Sequence, residues 1–474
     1  MKNLAEQSDF IALTPLDGRY RSDIAPLVDY LSEAALNRAR IHVEVEWLIF
    51  VSTNKVIAGA PVMNEDDVAY VRSIVDEFDG NAVAEMKEIE AETRHDVKAV
   101  EYFLKRRLAD APNHLPNTVL PQLAEAIHIF ATSEDVNNLA YAVTVRDATK
   151  KVWLPTAQSF VDQLTELARA QANQPMLSRT HGQTATPTTL GKEIAVLAWR
   201  LTRQLRRIEK TEYLGKFNGA TGTYGAHSVA VPEADWPQLS RDFVTGLGLT
   251  WNPLTTQIES HDWMAELFSD IARFNAIAHN LATDFWTYIS LGYFHQNLAA
   301  QGSTGSSTMP HKVNPIRFEN AESNIETSNA LFNSLGATLV TSRLQRDLTD
   351  SSTLRNTGVA FGHSLLALNN LKRGVAGLDV AAHVLEADLD NAWEVLGEPV
   401  QQAMRAAQLA GVEGMANPYE RLKELTRGKT VDAAAMREFI ASLGIPAEIE
   451  ERLLALTPAS YTGLAADLVA YLQA

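Results

Sequence analysis

The stretch from Trp263 to about Ala299 places the tightest limit on the fold of this 474-residue chain. Its apolar residues recur every three or four positions, which is the spacing of one face of an α-helix. They are Leu267, Ile271, Phe274, Ile277, Leu281, Phe285 and Tyr288. A second helical pattern runs from about Phe318 to Val340. Long helices in series favour a bundle, so we predict an all-α fold around a central long-helix bundle.

Turn and cap residues divide the helical patterns. Asn64 is a good N-cap for a helix, and another amphipathic run starts near Asp96. A helical run ends near Leu154, before Pro155, and helix resumes to about Ala172. The segment Ser178–Pro187 is predicted to be a polar loop, and no strand pattern is strong enough to imply a sheet.

Loop positions near residue 117 and residue 377 set the expected domain boundaries. The chain length alone suggests about three domains. We expect an N-terminal helical domain over 1–117, a central long-helix bundle domain over 118–377 and a C-terminal helical domain over 378–474.

The composition excludes several classes of protein. A formal charge of −17 argues against a nucleic-acid surface, and it requires any anionic ligand to meet a local cluster of Arg and Lys. The chain has no Cys, which excludes disulfides and thiolate metal sites. Because no apolar run approaches membrane-spanning length and the N-terminus lacks a signal-peptide core, we expect a soluble cytoplasmic protein without a membrane partner.

The loop 302–315 carries the densest group of reactive side chains. Two glycines permit hinge motion, hydroxyl residues occupy 306–308, and His311 and Lys312 follow. Such a loop suits an anionic substrate. From composition alone, a flexible Gly/Ser linker is an equally open interpretation.

The run from Gly305 to Pro315 resembles the signature loop of the fumarase/aspartase superfamily, GSSxMPxKxNP, at every fixed position. Members of that superfamily are helical oligomers that release fumarate from a succinyl-type substrate. The segment His95–Leu104 and the segments 343–355 and 417–428 resemble the adenylosuccinate lyases of bacterial type. The resemblance extends from Leu16 almost to the end of the chain.

The resemblance implies three catalytic residues. Ser306 would be the base, His181 the acid that protonates the leaving nitrogen, and Glu319 the carboxylate that orients this histidine. Judged from residue types alone, His311 or Lys312 is the better base, because a serine hydroxyl is normally a poor one. A histidine in a polar loop is also most often an ordinary surface residue.

The resemblance also implies a set of substrate-binding residues. They are Arg19, Tyr20, Arg94, His95, Asp96, Thr132, Ser133, Gln257, Ser307, Lys312, Val313, Asn314, Asn320, Arg346, Ser351, Ser352, Thr353, Leu354 and Arg355. Simple helix capping is the alternative for His95 and Asp96. Position 94 is Arg where close relatives carry Asn, which leaves its role open.

The implied function is β-elimination of fumarate from adenylosuccinate to give AMP, and also from the succinyl-aminoimidazole-carboxamide ribonucleotide (SAICAR) to give AICAR, in purine nucleotide biosynthesis. No cofactor or metal is expected, because the substrate carboxylate is itself the electron sink. The superfamily implies a homotetramer whose subunits share active sites. The alternatives are another lyase of the superfamily, such as an argininosuccinate lyase or a fumarase-like enzyme, and a non-catalytic helical scaffold.

Overall fold

The computed structural model describes residues 13–297, 309, 312–426 and 431–473. Over these residues the chain is mostly α-helical, so the predicted all-α class is confirmed. In the same residues, β-structure is limited to three two-stranded sheets. None of the helices described combines the length and the apolar character that crossing a membrane requires.

The elements are numbered in chain order. The α-helices are α1 (Arg21–Ile24), α2 (Val28–Leu31), α3 (Glu33–Thr53), α4 (Glu65–Asp76), α5 (Gly80–Thr93), α6 (Asp96–Asp110), α7 (Ser133–Ala148), α8 (Leu154–Ala170), α9 (Leu190–Ile208), α10 (Gly225–Ala230), α11 (Trp236–Gly246), α12 (Asp262–Ser290), α13 (Ile316–Leu339), α14 (Thr349–Leu354), α15 (Thr357–Ala376), α16 (Ala382–Asp390), α17 (Gly397–Leu409), α18 (Pro418–Thr426), α19 (Ala433–Ala441), α20 (Ala447–Leu454) and α21 (Ala465–Leu468). Short 3₁₀ segments are Ala25–Leu27, Ala111–Asn113, Leu120–Ala126, Trp393–Leu396 and Val469–Gln473. The strands are β1 (Pro175–Thr180), β2 (Gln183–Thr189), β3 (Leu214–Gly215), β4 (Thr250–Trp251), β5 (Phe294–Gln296) and β6 (Leu378–Val380). The pairs β1–β2 and β5–β6 are antiparallel, and β3–β4 is parallel.

The chain forms two compact units from interleaved segments. The first unit comprises Met1–Ala157, Gln204–Ala276 and Ser323–Ala367. The second comprises Gln158–Arg203, Ile277–Glu322 and Leu368–Ala474. The three-domain division with boundaries at 117 and 377 stays a prediction.

The first unit has a core that α3 shares with its neighbours. Buried apolar residues of α3 to α6 and of the 3₁₀ segment Leu120–Ala126 form one cluster. Trp47 of α3 packs against Phe217 with ring centroids 4.1 Å apart, and its Nε1 donates to Ile129 O at 2.8 Å. The indole therefore buries its apolar surface without leaving its polar atom unpaired.

Two helix starts lie where the sequence predicts them. Asn64 and Asp67 cap α4 reciprocally. The Asp67 backbone N–H donates to the Asn64 side chain, and the Asn64 backbone N–H donates to the Asp67 carboxylate. α6 begins at Asp96, with His95 at the N-cap position. Both predictions are confirmed, because capping depends on residue types within one turn of chain.

The predicted interruption before Pro155 is wrong. α7 continues through a π-helical turn, Thr149–Trp153, directly into α8. Leu154 N donates to Thr149 O, the wider spacing of a π turn. We attribute the tolerance of Pro155, the second residue of α8, to this register change, since proline has no N–H to give to a regular α-helical ladder.

The helix predicted to reach about Ala299 ends earlier, at Ser290. Gly292 has φ +77°, and Tyr293 N donates to Tyr288 O at 2.8 Å, while Gly292 N donates to Ile289 O at 3.0 Å. These two hydrogen bonds form a Schellman cap with glycine in the left-handed position. The short strand β5 follows. Residues 298 and 299 lie outside the described residues.

The second unit contains the hairpin β1–β2, which replaces the polar loop predicted at Ser178–Pro187. Threonine-rich β2 has the β-branched residues that strands favour. Leu177 of β1 lies in a buried cluster with Leu389, Ala392 and Val395. A second cluster in this unit joins the 3₁₀ segment Trp393–Leu396 to α17, α18, α19 and α20.

Candidate active site

Asp96 is the first residue of α6, and two arginines meet at one of its carboxylate oxygens. Arg40 and Arg355 each donate from Nη2 to Asp96 Oδ2, at 2.9 Å and 3.0 Å. Val97 N donates to the other oxygen at 2.9 Å. Burial raises the pKa of Asp96, but Arg40, Arg355 and the hydrogen bond from Val97 outweigh it and hold the pKa below its ordinary value. Asp96 is therefore an ionised link between two guanidinium groups.

Arg40 is a buried cation that the sequence analysis missed. Only 3% of it is exposed, and its remaining donors reach Asn137 Oδ1 at 2.9 Å and Asn37 Oδ1 at 3.0 Å. A buried charge is tolerated when it is paired and hydrogen-bonded, as here. No local signal marks it, because polar and apolar residues alternate around it in α3.

Glu134, near the start of α7, holds a third arginine. Arg346 Nη2 lies 2.9 Å from Glu134 Oε1, which also accepts from Asn137 Nδ2 at 2.8 Å. Arg346 further donates to Ser351 Oγ at 3.0 Å. Glu134 is 2% exposed, so this pair is only slightly screened by water. In the sequence, Glu134 reads only as an acid that suits a helix start.

A cavity of about 180 Å³ lies among these groups. Three guanidinium groups face two carboxylates around it, which gives it an excess of positive charge in a chain that is strongly acidic overall. Its lining brings together seven of the predicted binding residues with several that were not predicted. The lining is Arg40, His95, Asp96, Val97, Ser133, Glu134, Asn137, Tyr141, Arg346, Leu348, Ser351, Leu354 and Arg355. Burial raises the pKa of Tyr141 to about 12, so its phenol is a neutral hydrogen-bonding group.

A fully buried ion pair supports the turn that carries Thr132 and Ser133. Asp135 Oδ1 lies 2.8 Å from Lys216 Nζ, and neither side chain is exposed. Asp135 also accepts hydrogen bonds from three backbone N–H groups, those of Thr132 at 2.8 Å, Asn218 at 2.9 Å and Gly219 at 3.0 Å. Thr132 itself does not line the cavity, and Ser133 does.

His95 and Arg94 occupy the turn between α5 and α6. His95 Nδ1 accepts a hydrogen bond from Lys98 N at 3.2 Å, so the capping role is present, and the residue also lines the cavity. Arg94 ends α5 with φ +53° and ψ +30°, is exposed and is not part of that lining. Its left-handed backbone is the conformation for which Asn is better suited than Arg.

Five further predicted binding residues of the first unit, besides Arg94 and Thr132, lie outside the cavity lining. Arg19 is exposed, and its guanidinium carbon is 5.8 Å from the ring centroid of Tyr20. Gln257 Oε1 accepts a 3.4 Å hydrogen bond from Arg346 Nη1, which places it one contact away. The remaining two residues, on α14, are Ser352, which is exposed, and Thr353, whose hydroxyl donates to a backbone oxygen of its own helix.

His181 lies in the turn of the hairpin β1–β2, in the second unit. The turn consists of His181 and Gly182, with φ +54° and +75°. Two successive left-handed residues are typical of a tight type I′ hairpin turn, which makes glycine favourable at the second position. The imidazole is exposed, and within the described residues it has no hydrogen-bond partner. It is therefore available to a group outside the chain segments described.

The end of the signature loop, residues 312–315, leads into α13. Lys312 and Asn314 are exposed, and Val313 O accepts a hydrogen bond from Gln296 Nε2 at 2.9 Å. The predicted base Ser306 and the neighbouring Ser307 lie outside the described residues, as does His311.

Glu319 and Asn320 lie near the start of α13. Glu319 Oε1 accepts a hydrogen bond from Trp286 Nε1 at 3.2 Å, and Asn320 Oδ1 accepts one from Asn370 Nδ2 at 2.9 Å. No hydrogen bond or ion pair joins Glu319 to His181 within the described part of one chain. The orienting role of Glu319 stays a prediction. Among the same residues no three carboxylate or histidine side chains are grouped closely enough to hold a metal ion.

Comparison with protein families places the chain in a class. Residues 18–326 match the model described as lyase, and residues 342–462 match the model described as adenylosuccinate lyase C-terminal. Two solved structures share the fold: a fumarate lyase from Mesorhizobium sp. BNC1 (TM-score 0.73, 19% identity, 94% of this chain and 97% of that one) and a 3-carboxy-cis,cis-muconate lactonizing enzyme from Pseudomonas putida (TM-score 0.70, 20% identity, 94% and 96%). The chain is thus of the lyase class.

Curated relatives narrow the class further. The chain is 47% identical to an adenylosuccinate lyase of Escherichia coli K12 over 98% of its own length and 99% of the relative. It is 47% identical to one from Haemophilus influenzae, over 98% of each chain, and 46% identical to one from Vibrio cholerae, over 98% and 99%. The chain belongs to the adenylosuccinate lyase family.

Proposed function

We propose that this chain cleaves adenylosuccinate to AMP and fumarate, and that it also cleaves SAICAR to AICAR and fumarate. The observation that carries the proposal is the cavity in the first unit, where three arginines meet two carboxylates. Guanidinium groups bind phosphate through paired hydrogen bonds, which suits the phosphate end of a nucleotide. A smaller amino-acid substrate such as argininosuccinate has no phosphate to use this cluster.

The chemistry requires a base, an acid and cations at the carboxylates. The base removes a proton from the carbon beside a succinyl carboxylate, and that carboxylate delocalises the resulting negative charge. The carbon–nitrogen bond then breaks, fumarate forms, and the leaving nitrogen of the nucleotide takes a proton from the acid. We assign the base to Ser306, the acid to His181, and the carboxylate contacts to Lys312 and Asn314, with Glu319 supporting the histidine.

Ser306 can act as the base only under specific conditions. Its alkoxide needs neighbouring N–H groups and cations for stabilisation, and the site must exclude water. The alternative base, His311 or Lys312, follows from residue types alone. We further propose a cytoplasmic homotetramer in which subunits share residues of each site, because the isolated chain leaves His181 without a partner among its described residues.

A fumarate assay tests the proposal. The purified protein is incubated separately with adenylosuccinate, SAICAR, argininosuccinate and malate, and fumarate is measured by its ultraviolet absorbance. We expect fumarate from the first two only. Release from argininosuccinate or malate would assign another lyase of the superfamily, and no release from any of the four would revive the helical scaffold.

The base assignment has its own experiment. Ser306→Ala should reduce turnover of adenylosuccinate by several orders of magnitude while the far-ultraviolet circular dichroism stays unchanged. Near-normal turnover in this variant would transfer the role to His311 or Lys312, which the variants His311→Ala and Lys312→Met would then distinguish.

A further inference from the structure

The hairpin that carries His181 is tied to α16 by an ion pair in which one guanidinium nitrogen contacts both carboxylate oxygens. Arg179 lies on β1, two residues before His181, and its Nη2 donates to both carboxylate oxygens of Asp388, at 2.8 Å and 3.2 Å. Tyr293 OH donates to Asp388 Oδ2 and lies 3.4 Å from Arg179 Nη1. All three residues belong to the second unit.

This cluster differs from an ordinary surface ion pair. The side chains of Arg179 and Asp388 are only 29% and 28% exposed, and Tyr293 is 2% exposed. Burial and the neighbouring Asp388 raise the pKa of Tyr293, so its phenol remains protonated and continues to donate. The carboxylate of Asp388 thus has two donors, one on β1 and one in the turn between α12 and β5, which defines a geometry that a single exposed pair would not.

Other contacts hold the rest of the hairpin. Thr184 Oγ1 donates to Glu394 Oε1 at 3.3 Å, and Thr186 Oγ1 donates to Glu398 Oε2. Leu177, at the other end of β1, packs into the buried cluster with Leu389. Thr184 and Thr186 are exposed, whereas Arg179 contacts the partly buried Asp388 close to the turn. Among these polar contacts, the link to Asp388 is therefore the one best placed to fix the position of the turn.

We infer that Asp388 is a positioning residue, which through Arg179 and Tyr293 sets where His181 stands when it delivers its proton. The inference rests on the proposed function, in which His181 is the acid. A proton donor must come within hydrogen-bond distance of the leaving nitrogen, and a displacement of about 1 Å can cost about a hundredfold in rate. It also gives the C-terminal part of the chain a role in catalysis without any contact to substrate.

The test is the variant Asp388→Asn, which keeps the shape of the side chain and removes its charge. Asp390→Asn is the matched control, because Asp390 is an exposed carboxylate on the same helix. For Asp388→Asn we expect kcat for adenylosuccinate to fall at least tenfold with KM within twofold, and we expect Asp390→Asn to match the wild type. Asp388→Glu should recover part of the lost kcat, since it restores the charge.

A second readout does not depend on activity. Amide hydrogen exchange of the hairpin, residues 175–189, should be at least tenfold faster in Asp388→Asn than in the wild type and unchanged in Asp390→Asn. Faster exchange with unchanged kcat would overturn the inference, and so would unchanged exchange. A fall in kcat accompanied by an equal change in KM would indicate general loosening and also overturn it. A wild type without lyase activity would refute the proposed function instead, and the exchange data would still decide whether Asp388 fixes the hairpin.

Discussion

Two regions with predicted site residues differ in how their side chains are held. Around the cavity of the first unit, Arg40, Arg346 and Arg355 each have a carboxylate partner. At the turn of the hairpin in the second unit, His181 is exposed and has no partner among the described residues. The arginines are thus ordered before a ligand arrives, whereas the imidazole keeps both ring nitrogens available.

The difference follows from what each region is proposed to do. Binding an anion is favourable when the cations are already in place, because no side-chain entropy is then lost on binding. A proton donor must instead keep one ring nitrogen free for the substrate, so a partner at that nitrogen would compete with catalysis, whereas the other nitrogen can still bond the proposed Glu319. Fixing the backbone of the hairpin, as Arg179 does, orients His181 without occupying it.

The largest expected effect comes from removing the imidazole. His181→Ala should lower kcat by about 10³-fold, within the range for loss of a general acid, and should leave KM nearly unchanged. Steady-state fumarate release measures both constants. His114→Ala, which removes an exposed histidine that bonds only Asp110 among described residues, is the control. If kcat falls less than tenfold in His181→Ala, the exposed imidazole is not the acid, and the proposed difference in function between the two regions is wrong.

The buried ion pair beneath the first region should control stability. Lys216→Met leaves Asp135 without its cation in a site that water does not reach, which should cost about 3 kcal/mol in the free energy of unfolding. Urea denaturation followed by circular dichroism measures this. Lys210→Met, at an exposed position, should change stability by less than about 0.5 kcal/mol. Equal effects in the two variants would mean that buried charge does not order this region.

Asp96→Asn should weaken nucleotide binding by loosening Arg355. Losing a charge-assisted hydrogen bond costs about 1.5 kcal/mol, which corresponds to about a tenfold rise in KM at neutral pH.

The pKa of Asp96 is lower in the folded state than in the unfolded state, where it is about 3.9. The ionised carboxylate therefore stabilises the fold at pH values above about 3.9. That contribution is lost as the pH falls through the lower folded-state pKa.

The pH dependence gives a separate check on Asp96. The difference in unfolding free energy between wild type and Asp96→Asn should have its full value at pH 6 and a smaller value at pH 3. Urea titrations at both values measure it. A difference that grew towards low pH would contradict the lowered pKa, and an unchanged KM would show that Asp96 does not order Arg355 for binding.

The two regions also differ in how much of their structure the sequence could predict. Helix periods and the caps at Asn64 and His95 are local patterns, so they predicted helices directly. The signature run Gly305–Pro315 predicted the class and the candidate residues through its resemblance to a known superfamily. The hairpin at Pro175–Thr189 was missed, because His181 and Gly182 read as polar loop residues unless the two-residue turn is recognised.

Long-range partners were out of reach for a physical reason. Arg40 and Asn137 are 97 positions apart, and Asp135 and Lys216 are 81 apart by their numbers. The first pair depends on how α3 packs on α7, and the second on how the segment after β3 packs on α7, which no local pattern encodes. Glu134 and Asp135 read as acids that suit a helix start, although their carboxylates hold Arg346 and Lys216.

The smallest expected effect concerns Arg94, where sequence left the role open. In the left-handed region Arg is strained, and Asn adopts that conformation more readily, so Arg94→Asn should stabilise the fold by about 0.5–1 kcal/mol. Lys55, with φ +54°, is the matched control, because Lys55→Asn should give a similar gain in a turn away from the cavity. Urea denaturation measures both gains. If Arg94→Asn also raises KM several-fold while Lys55→Asn does not, the Arg94 guanidinium contacts the nucleotide. The phosphate would then be bound by Arg94 as well as by the three arginines of the cavity. If KM is unchanged, Arg94 acts only in the turn, and the positive charge that binds the nucleotide comes from the arginines that already have carboxylate partners.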